Sequence, residues 1–330
     1  MPSKSAQKDN RYAARCGDLP SVLFLFVIAA NTFLIALTPH AWRLYMLLAL
    51  PQALLLAGCQ EAKHMAVHGT FLSLRRANDI VGVICAALFG VNFVAYRYFH
   101  LQHHRATCTD IDPEGRLYSL SWRTRWIWAL APLELPWVAW HQNRVGWPMV
   151  PEDRRNGRNA ALFWMVVCGA LIGAGVWHGG TARHVIIWAY AIPLALLAWF
   201  DFLLTQAEHY GVAIVPASPG KVRRDPQSIT MDIVLPFGLG WLMLNRSLHS
   251  VHHRYPALRW YDAPRILRAD PTAAPTTYWA FARRWLIAGP RLWQHDEYLQ
   301  AEPVIVPGNG RAALEQFLEW VKCRKLPDSR

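Results

Sequence analysis

Four long apolar segments constrain this chain more than any other feature. Leu19 to Leu37, Arg43 to Gln60, Ala160 to Trp177 and Val185 to Thr205 each approach the roughly 20 residues needed to cross a hydrocarbon core of about 30 Å. They are nearly free of charge, although 17% of the chain is Asp, Glu, Lys or Arg. Backbone polar groups in lipid must be satisfied within the segment, so the spans read as helices. The expected fold is an all-α membrane protein with four transmembrane helices. A signal peptide is the alternative for the first segment, since Lys4, Lys8, Arg11 and Arg15 precede it. The run is long for one, no small-x-small cleavage pattern closes it, and a second span follows at once. It reads as a retained anchor.

The formal net charge of +12 raises nucleic acid as a partner, but the distribution of charge argues against it. Of the 34 Lys and Arg residues, only Arg43 and Arg183 fall near the short turns joining spans one to two and three to four. The others lie in the N-terminal segment, the central hydrophilic stretches and the tail. This is the positive-inside asymmetry, which places both termini in the cytoplasm and the protein in the cytoplasmic membrane. Basic surface beside anionic lipid accounts for the balance without nucleic acid. The six cysteines, Cys16, Cys59, Cys85, Cys108, Cys168 and Cys323, show no C-x-x-C spacing and read as packing residues in a reducing compartment.

Between the spans lies a histidine pattern. His64 and His68 form H-x-x-x-H, while His100, His103 and His104 form H-x-x-H-H, repeated by His249, His252 and His253. His209 stands alone after an apolar run. Residues at i, i+3 and i+4 share a helix face, so each group presents its imidazoles to one point. Nine converging imidazoles suit two metal ions better than one, because a single ion takes about four to six ligands. His40, His141, His178, His184 and His295 read as structural. Asn245 lies one turn before His249 and could hold a metal-bound water; a cap or a hydrogen bond behind the ligands fits the spacing equally. Asp201, two turns before His209, reads either as a carboxylate orienting that histidine or as a solvated residue near the span's end. Glu61, three residues before His64, could orient it.

A shared centre also restricts topology. If Ile80 to Tyr96 crossed the membrane, the first two histidine groups would lie on opposite faces, so this stretch is expected to re-enter or lie shallowly. Trp126 to His141, with Pro132, Glu134 and Pro136, and Ile229 to Leu244, with Pro236, Gly238 and Gly240, are expected to be interfacial. Residues 1–18 read as a cytoplasmic N-terminal segment, 19–256 as the membrane-embedded catalytic domain and 257–330 as a cytoplasmic cap. An amphipathic helix is expected over Ala312 to Lys322.

From about Gly58 to Pro264 the motifs resemble the membrane fatty-acid desaturase and hydroxylase superfamily, the three-histidine-box non-haem di-iron proteins. His64-Met65-Ala66-Val67-His68-Gly69, with Asn78 and Gly82 after it, is similar to the first box. His100-Leu101-Gln102-His103-His104, followed by Thr107 and Asp112-Pro113-Glu114, is similar to the second. Asn245 to Pro256, in the form N-x-x-x-H-x-x-H-H-x-x-P, resembles sphingolipid desaturases and more loosely alkane hydroxylases. Ala207-Glu208-His209-Tyr210-Gly211 resembles the isolated histidine before the third box, in a form nearer the alkane hydroxylases.

The resemblance implies two iron ions bound by the nine histidines, with molecular oxygen as co-substrate and an apolar acyl chain as substrate. Ligand type alone would equally admit zinc or copper. Hydrogen abstraction from a methylene opens three outcomes: an alkene, an alcohol or ketone, or a terminal alkene by loss of the carboxylate. The first box and the D-P-E trailer favour a fatty-acid desaturase; a hydroxylase, a ketolase and a decarboxylase stay open. Electrons must come from outside, from a ferredoxin, rubredoxin or haem-protein donor with its reductase. No His-Pro-Gly-Gly haem signature, iron–sulfur cysteine set or G-x-G-x-x-G loop is present. A non-catalytic metal-binding or transport protein is the reading of another class. It would need ionisable residues along the middle of several spans.

Overall fold

A computed structural model describes residues 17–38, 42–116, 127–217, 225–288 and 294–295. Helix α1 (Leu19–Leu37) carries a proline in its first turn, where a missing N–H costs nothing. Helix α2 (Trp42–His68) has 27 residues and spans about 40 Å, more than a hydrocarbon core. It does not stop at Gln60: the same helix carries Glu61, His64 and His68 on its last turns. Helix α6 (Arg155–His178) returns across, and Gly179 at φ 80° makes the corner into α7 (Gly180–Val185). A π-helical turn, Ile186–Ala191, then leads into α8 (Ile192–Glu208). The fourth crossing therefore starts at Gly180, earlier than Val185. Among the described residues four helical stretches are long and apolar enough to cross a membrane: Leu19–Leu37, Arg43–His68, Glu152–His178 and Gly180–Trp199. Phe26, Phe33, Phe163, Val166 and Leu171 are exposed on their outer faces, a surface suited to lipid.

Contacts at the two ends fix the directions of the spans. Near the start of α1, Asp18 pairs with Arg259 and Ser21 accepts from the Trp260 indole N–H, tying that end to the segment after the third histidine group. At the other end, His184 bonds the carbonyl of Ile35 and lies edge-on to Tyr45. So α1 runs away from the histidines, α2 returns, α6 leaves and α8 returns. Midway, Asn31 donates to Gln52, whose amide donates to Thr32 and to the Ala189 carbonyl in the π-turn. This clasp satisfies polar groups that lipid would leave bare.

The stretch after the first box forms two helices, α3 (Arg75–Ala87) and α4 (Phe93–Ala106). At 13 residues α3 reaches about 20 Å, too short to cross. The chain reverses at Gly90 (φ 66°), and Asn92 caps α4 by accepting from the N–H groups of Val94 and Ala95. Neither helix is a further candidate span, so the first two histidine groups stay at one end of the molecule, as the shared centre demands. Gly82 is needed at the α3–α4 approach, since a Cβ there would lie 2.3 Å from the Phe93 ring.

Helix α5 (Ile127–Met149) takes in most of the stretch Trp126 to His141 and is not one of the candidate spans. It continues eight residues past His141 and buries Val138, Ala139 and Gln142 beside α4 and α8. Gly146 allows this packing, because a Cβ there would lie 2.5 Å from the Ala95 carbonyl oxygen. Beyond α8 the chain is broken into short pieces. They are strand β1 (Ala213–Ile214), α9 (Pro226–Ile229), strand β2 (Ile233–Val234) and α10 (Leu239–Leu242). Next come α11 (His249–Arg254), α12 (Ala263–Ala269), strand β3 (Thr276–Thr277), α13 (Tyr278–Ala288) and strand β4 (Gln294–His295). The β1–β4 and β2–β3 pairs are both parallel. The stretch Ile229 to Leu244 is irregular, as its prolines and glycines suggest, and Phe237 projects from it 95% exposed. The helix expected over Ala312 to Lys322, His40 and the N-terminal residues 1–16 lie outside the described residues.

Candidate metal centre

Four elements bring the nine histidines together. The last turns of α2 carry His64 and His68; α4 carries His100, His103 and His104 on one face. His209 follows the final residue of α8, and α11 carries His249, His252 and His253. The ring nitrogens form two clusters, His64, His68, His100, His104 and His252, and His103, His209, His249 and His253, within each of which the atoms lie inside 4.8 Å of one another. The clusters touch: the rings of His104 and His253 are 4.6 Å apart between centroids.

The contacts within each cluster run between Nε2 atoms. In the first, His64 to His252 is 2.9 Å, His252 to His104 3.0 Å, His104 to His100 2.9 Å and His100 to His68 3.1 Å. In the second, His103 to His253 is 3.2 Å, His253 to His249 3.0 Å and His249 to His209 3.1 Å. The opposite nitrogens of four rings are held by acceptors. His64 Nδ1 donates to Glu61 at 2.9 Å, His100 Nδ1 to Glu114 at 3.0 Å and His103 Nδ1 to Asp112 at 3.0 Å. His209 Nδ1 donates to the Ile229 carbonyl at 2.7 Å. A proton fixed on Nδ1 leaves the Nε2 lone pair free, the usual arrangement of a metal-binding histidine.

These spacings test whether a metal fits. Two nitrogens at right angles around an ion at about 2.1 Å stand about 3.0 Å apart, whereas a tetrahedral arrangement requires about 3.4 Å. The observed 2.9–3.2 Å matches the first case. Inward-facing lone pairs at that distance repel unless a cation lies between them. The residues present fit a pair of metal ions, one held by five histidines and the other by four, with nitrogen spacings closer to right-angled than to tetrahedral coordination.

Electrostatics agree for most of the site. Burial, reinforced by neighbouring imidazoles, holds His100, His249, His252 and His253 well below the ordinary histidine range, so they are neutral donors. Burial, with the His103 charge, takes His209 down to about 3. His103 goes the other way: burial pushes it down, but Asp112 and Glu114 beside it carry it up to about 9. A site that attracts a proton so strongly attracts a metal cation for the same reason. Glu114 is raised to about 7 by burial, against the opposing pull of His103.

The third group is positioned by backbone devices. Leu244 and Asn245 adopt left-handed conformations, φ 53° and 55°, which turn the chain into α11. Asn245 N–H donates to the Gly240 carbonyl, and a Cβ on Gly240 would lie 2.9 Å from Asn245 Oδ1. The first N–H groups of α11 are satisfied from a distance: Asp232 accepts from Ser250 N at 2.8 Å and Val251 N at 3.3 Å. Arg246 pairs with Asp201 and with Glu208 at 3.0 Å, and also donates to Gln60 and Thr205.

Of the auxiliary residues expected from sequence, Glu61 does hold a histidine. Asp201 does neither thing expected of it: it is buried, and it neutralises Arg246 rather than orienting His209. The Asn245 amide donates to the Trp260 carbonyl, while the side chain lines a small cavity with Glu61, His64, His249 and His252. Sequence reasoning missed the partners of His100 and His103. Asp112 and Glu114 were visible only as a trailing D-P-E, and their offsets of 9 and 14 residues follow no helical rule. It also missed Asp232, Arg246 and Lys63.

Residues 38–285, most of the chain, match the family model described as fatty acid desaturase. No curated protein matches the chain.

Proposed function

Because the chain belongs to the fatty acid desaturase family, an oxidoreductase family acting on acyl lipids, we propose that it is an oxygen-dependent enzyme with two non-haem iron ions that desaturates a fatty acyl chain. The observation that carries this reading is the pair of histidine clusters with Nε2 atoms 2.9–3.2 Å apart. That spacing supports iron with five or six ligands over tetrahedral zinc. His64, His68, His100, His104 and His252 would hold one ion, and His103, His209, His249 and His253 the other. Asn245, which lines a small cavity with His64, His249 and His252, would add a water-mediated contact.

Iron bound there would supply the activation of dioxygen and the removal of hydrogen from an unactivated methylene. Overall, two hydrogens leave the chain and dioxygen is reduced to two waters, with two further electrons and two protons from outside. The protein residues have three tasks. Glu61, Asp112, Glu114 and the Ile229 carbonyl fix four imidazoles so that each lone pair faces inward. Phe89, Val91, Leu135, Val138 and Ala139 form an apolar wall beside His64 and His100, which positions a methylene and limits water. An apolar crevice of about 800 Å³ between α2, α3 and α6, lined by Leu56, Ile84, Leu88, Trp164 and Leu171, offers a route from the bilayer. The external donor, a ferredoxin, rubredoxin or haem protein with its reductase, would dock on basic cytoplasmic surface.

Purified protein should contain about two iron ions per chain. With oxygen and a reducing system, a saturated acyl chain should return as an internal alkene of unchanged carbon number. His68→Ala, His104→Ala, His209→Ala and His253→Ala should each abolish this, and His178→Ala, at an exposed position, should not. Stoichiometric zinc without iron, and no activity on iron reconstitution, would sink the proposal.

A further inference from the structure

Lys63 is a charged side chain of the site with no part in the reaction above and, among the described residues, no acidic partner. It lies on α2 between Glu61 and His64, is only 6% exposed, and lines the cavity that adjoins His64, His100 and His249. Among the described residues its ammonium group forms no hydrogen bond or ion pair. Its close neighbour is the face of Tyr96, 3.8 Å from the ring centre, and that ring stacks on His100. A buried ammonium carries three donors and a full charge, and an aromatic face compensates only part of the lost hydration.

The nearby carboxylates are committed elsewhere. Glu61 holds His64, Glu114 holds His100, and Asp201 and Glu208 both hold Arg246. The same cavity has a hydrocarbon wall formed by Phe89, Val91, Leu135, Val138 and Ala139. A cation with free donors beside an apolar wall is the complement of a carboxylate on an alkyl chain. At about 70 Å³ the cavity has room for a few water-sized groups, enough for a carboxylate and its first carbons. It has no room for a nucleotide thioester or a phospholipid headgroup. Phe89 lines this cavity and the preceding residue, Leu88, lines the large apolar crevice, so the two spaces flank one turn.

We propose that the substrate is a free fatty acid, bound carboxylate-first on Lys63, so that the carbons nearest the carboxylate lie beside the metals. This rests on the acyl-chain reading of the site and adds the identity and orientation of the substrate's polar end. A thioester or lipid ester would keep its headgroup outside and offer carbons farther along the chain.

The test is equilibrium binding of tritiated hexadecanoate and of methyl hexadecanoate to the full-length, iron-loaded protein in lipid nanodiscs. The wild type should bind the acid at least tenfold more tightly than the ester. Lys63→Met should bring acid affinity down to that of the ester and leave the ester unchanged, while Lys63→Arg should keep much of the preference. Positional analysis of the product should place the new double bond in the carboxyl half. Equal wild-type affinities for acid and ester, or an undiminished preference in Lys63→Met, overturn the proposal and leave the acyl-chain reading standing. Failure of the wild type to bind either ligand overturns both. Should Lys63→Met lose its metal or misfold, the wild-type ratio and Lys63→Arg still decide.

Discussion

Asp112→Asn isolates one carboxylate whose bonds can be counted. The side chain is fully buried. Oδ1 accepts from His103 Nδ1 at 3.0 Å and Glu114 N at 2.9 Å, while Oδ2 accepts from Cys108 N at 2.7 Å and shares His103 Nδ1 at 3.1 Å. An asparagine keeps one of these oxygens. With its oxygen at the Oδ1 position, the new NH₂ faces the Cys108 N–H; flipped, it faces the Glu114 N–H. Either way one buried donor is opposed by another, at a cost of about 1–3 kcal/mol. The charge that favours a cation at His103 is also lost. Removing such a partner typically weakens metal binding about 10–100-fold, or about 1.4–2.7 kcal/mol. The assay is chelator competition at pH 7 and pH 8, with iron per chain measured by elemental analysis. One ion, that of the His103, His209, His249 and His253 cluster, should leave at 10–100-fold lower chelator concentration, and the other should stay. The deficit should be larger at pH 8. His103 in the metal-free wild type holds its proton up to about 9, so raising the pH removes competition there that the variant has already lost. Coincident chelator curves for variant and wild type, or simultaneous loss of both ions, would refute the assignment of Asp112 to one of two separable sites.

Three further outcomes follow from particular contacts. Asp232→Ala should destabilise the protein by about 1 kcal/mol by leaving the first N–H groups of α11 bare, seen as a lower thermal midpoint that Asp232→Asn largely restores. Gly146→Ala should cost about 1–3 kcal/mol, since its Cβ would meet the Ala95 backbone and force α5 away from α4; unchanged stability would show that the helices can separate freely. A cysteine at Gly180 should react with an impermeant thiol reagent from outside intact cells, and one at Asp153, exposed near the start of α6, only after permeabilisation. Cys108 would be a poor reporter from either side because it is 1% exposed. The reverse labelling pattern would invert the proposed orientation.

The spans and the histidine boxes were legible because each is a local pattern. An apolar run such as Leu19–Leu37 needs no partner to identify it, and H-x-x-H-H places three imidazoles on a face through helical geometry alone. That the α3–α4 segment adds no further span was legible for a different reason, since the parity of crossings had to keep two ligand groups on one side. The full length of helix α5 was not legible, because Pro132, Pro136 and the tryptophans mark only its first part. Its continuation to Met149 depends on Gly146 meeting the Ala95 backbone, a contact no local pattern encodes. Lys63 was passed over for the same kind of reason: only the tertiary structure shows that its neighbours' carboxylates are already engaged.

Asp201 shows how far periodicity can be pushed. Two turns of separation from His209 suggested a shared face, but eight residues at about 100° each leave the two side chains about 80° apart. The helix also ends at Glu208, so His209 leaves the helical path altogether. The positions that do share a face with Asp201 are Thr205 and Glu208, at i+4 and i+7. All three bond the guanidinium of Arg246. That stripe of acid, hydroxyl and acid on a span-ending helix is itself a sequence signal for a buried cation arriving from another element. The cation immediately precedes the third box by only three residues, so the stripe locks His249 and its neighbours against α8. Histidine placement and charge neutralisation are thus one structural device, and the part written within a single helix was the readable part.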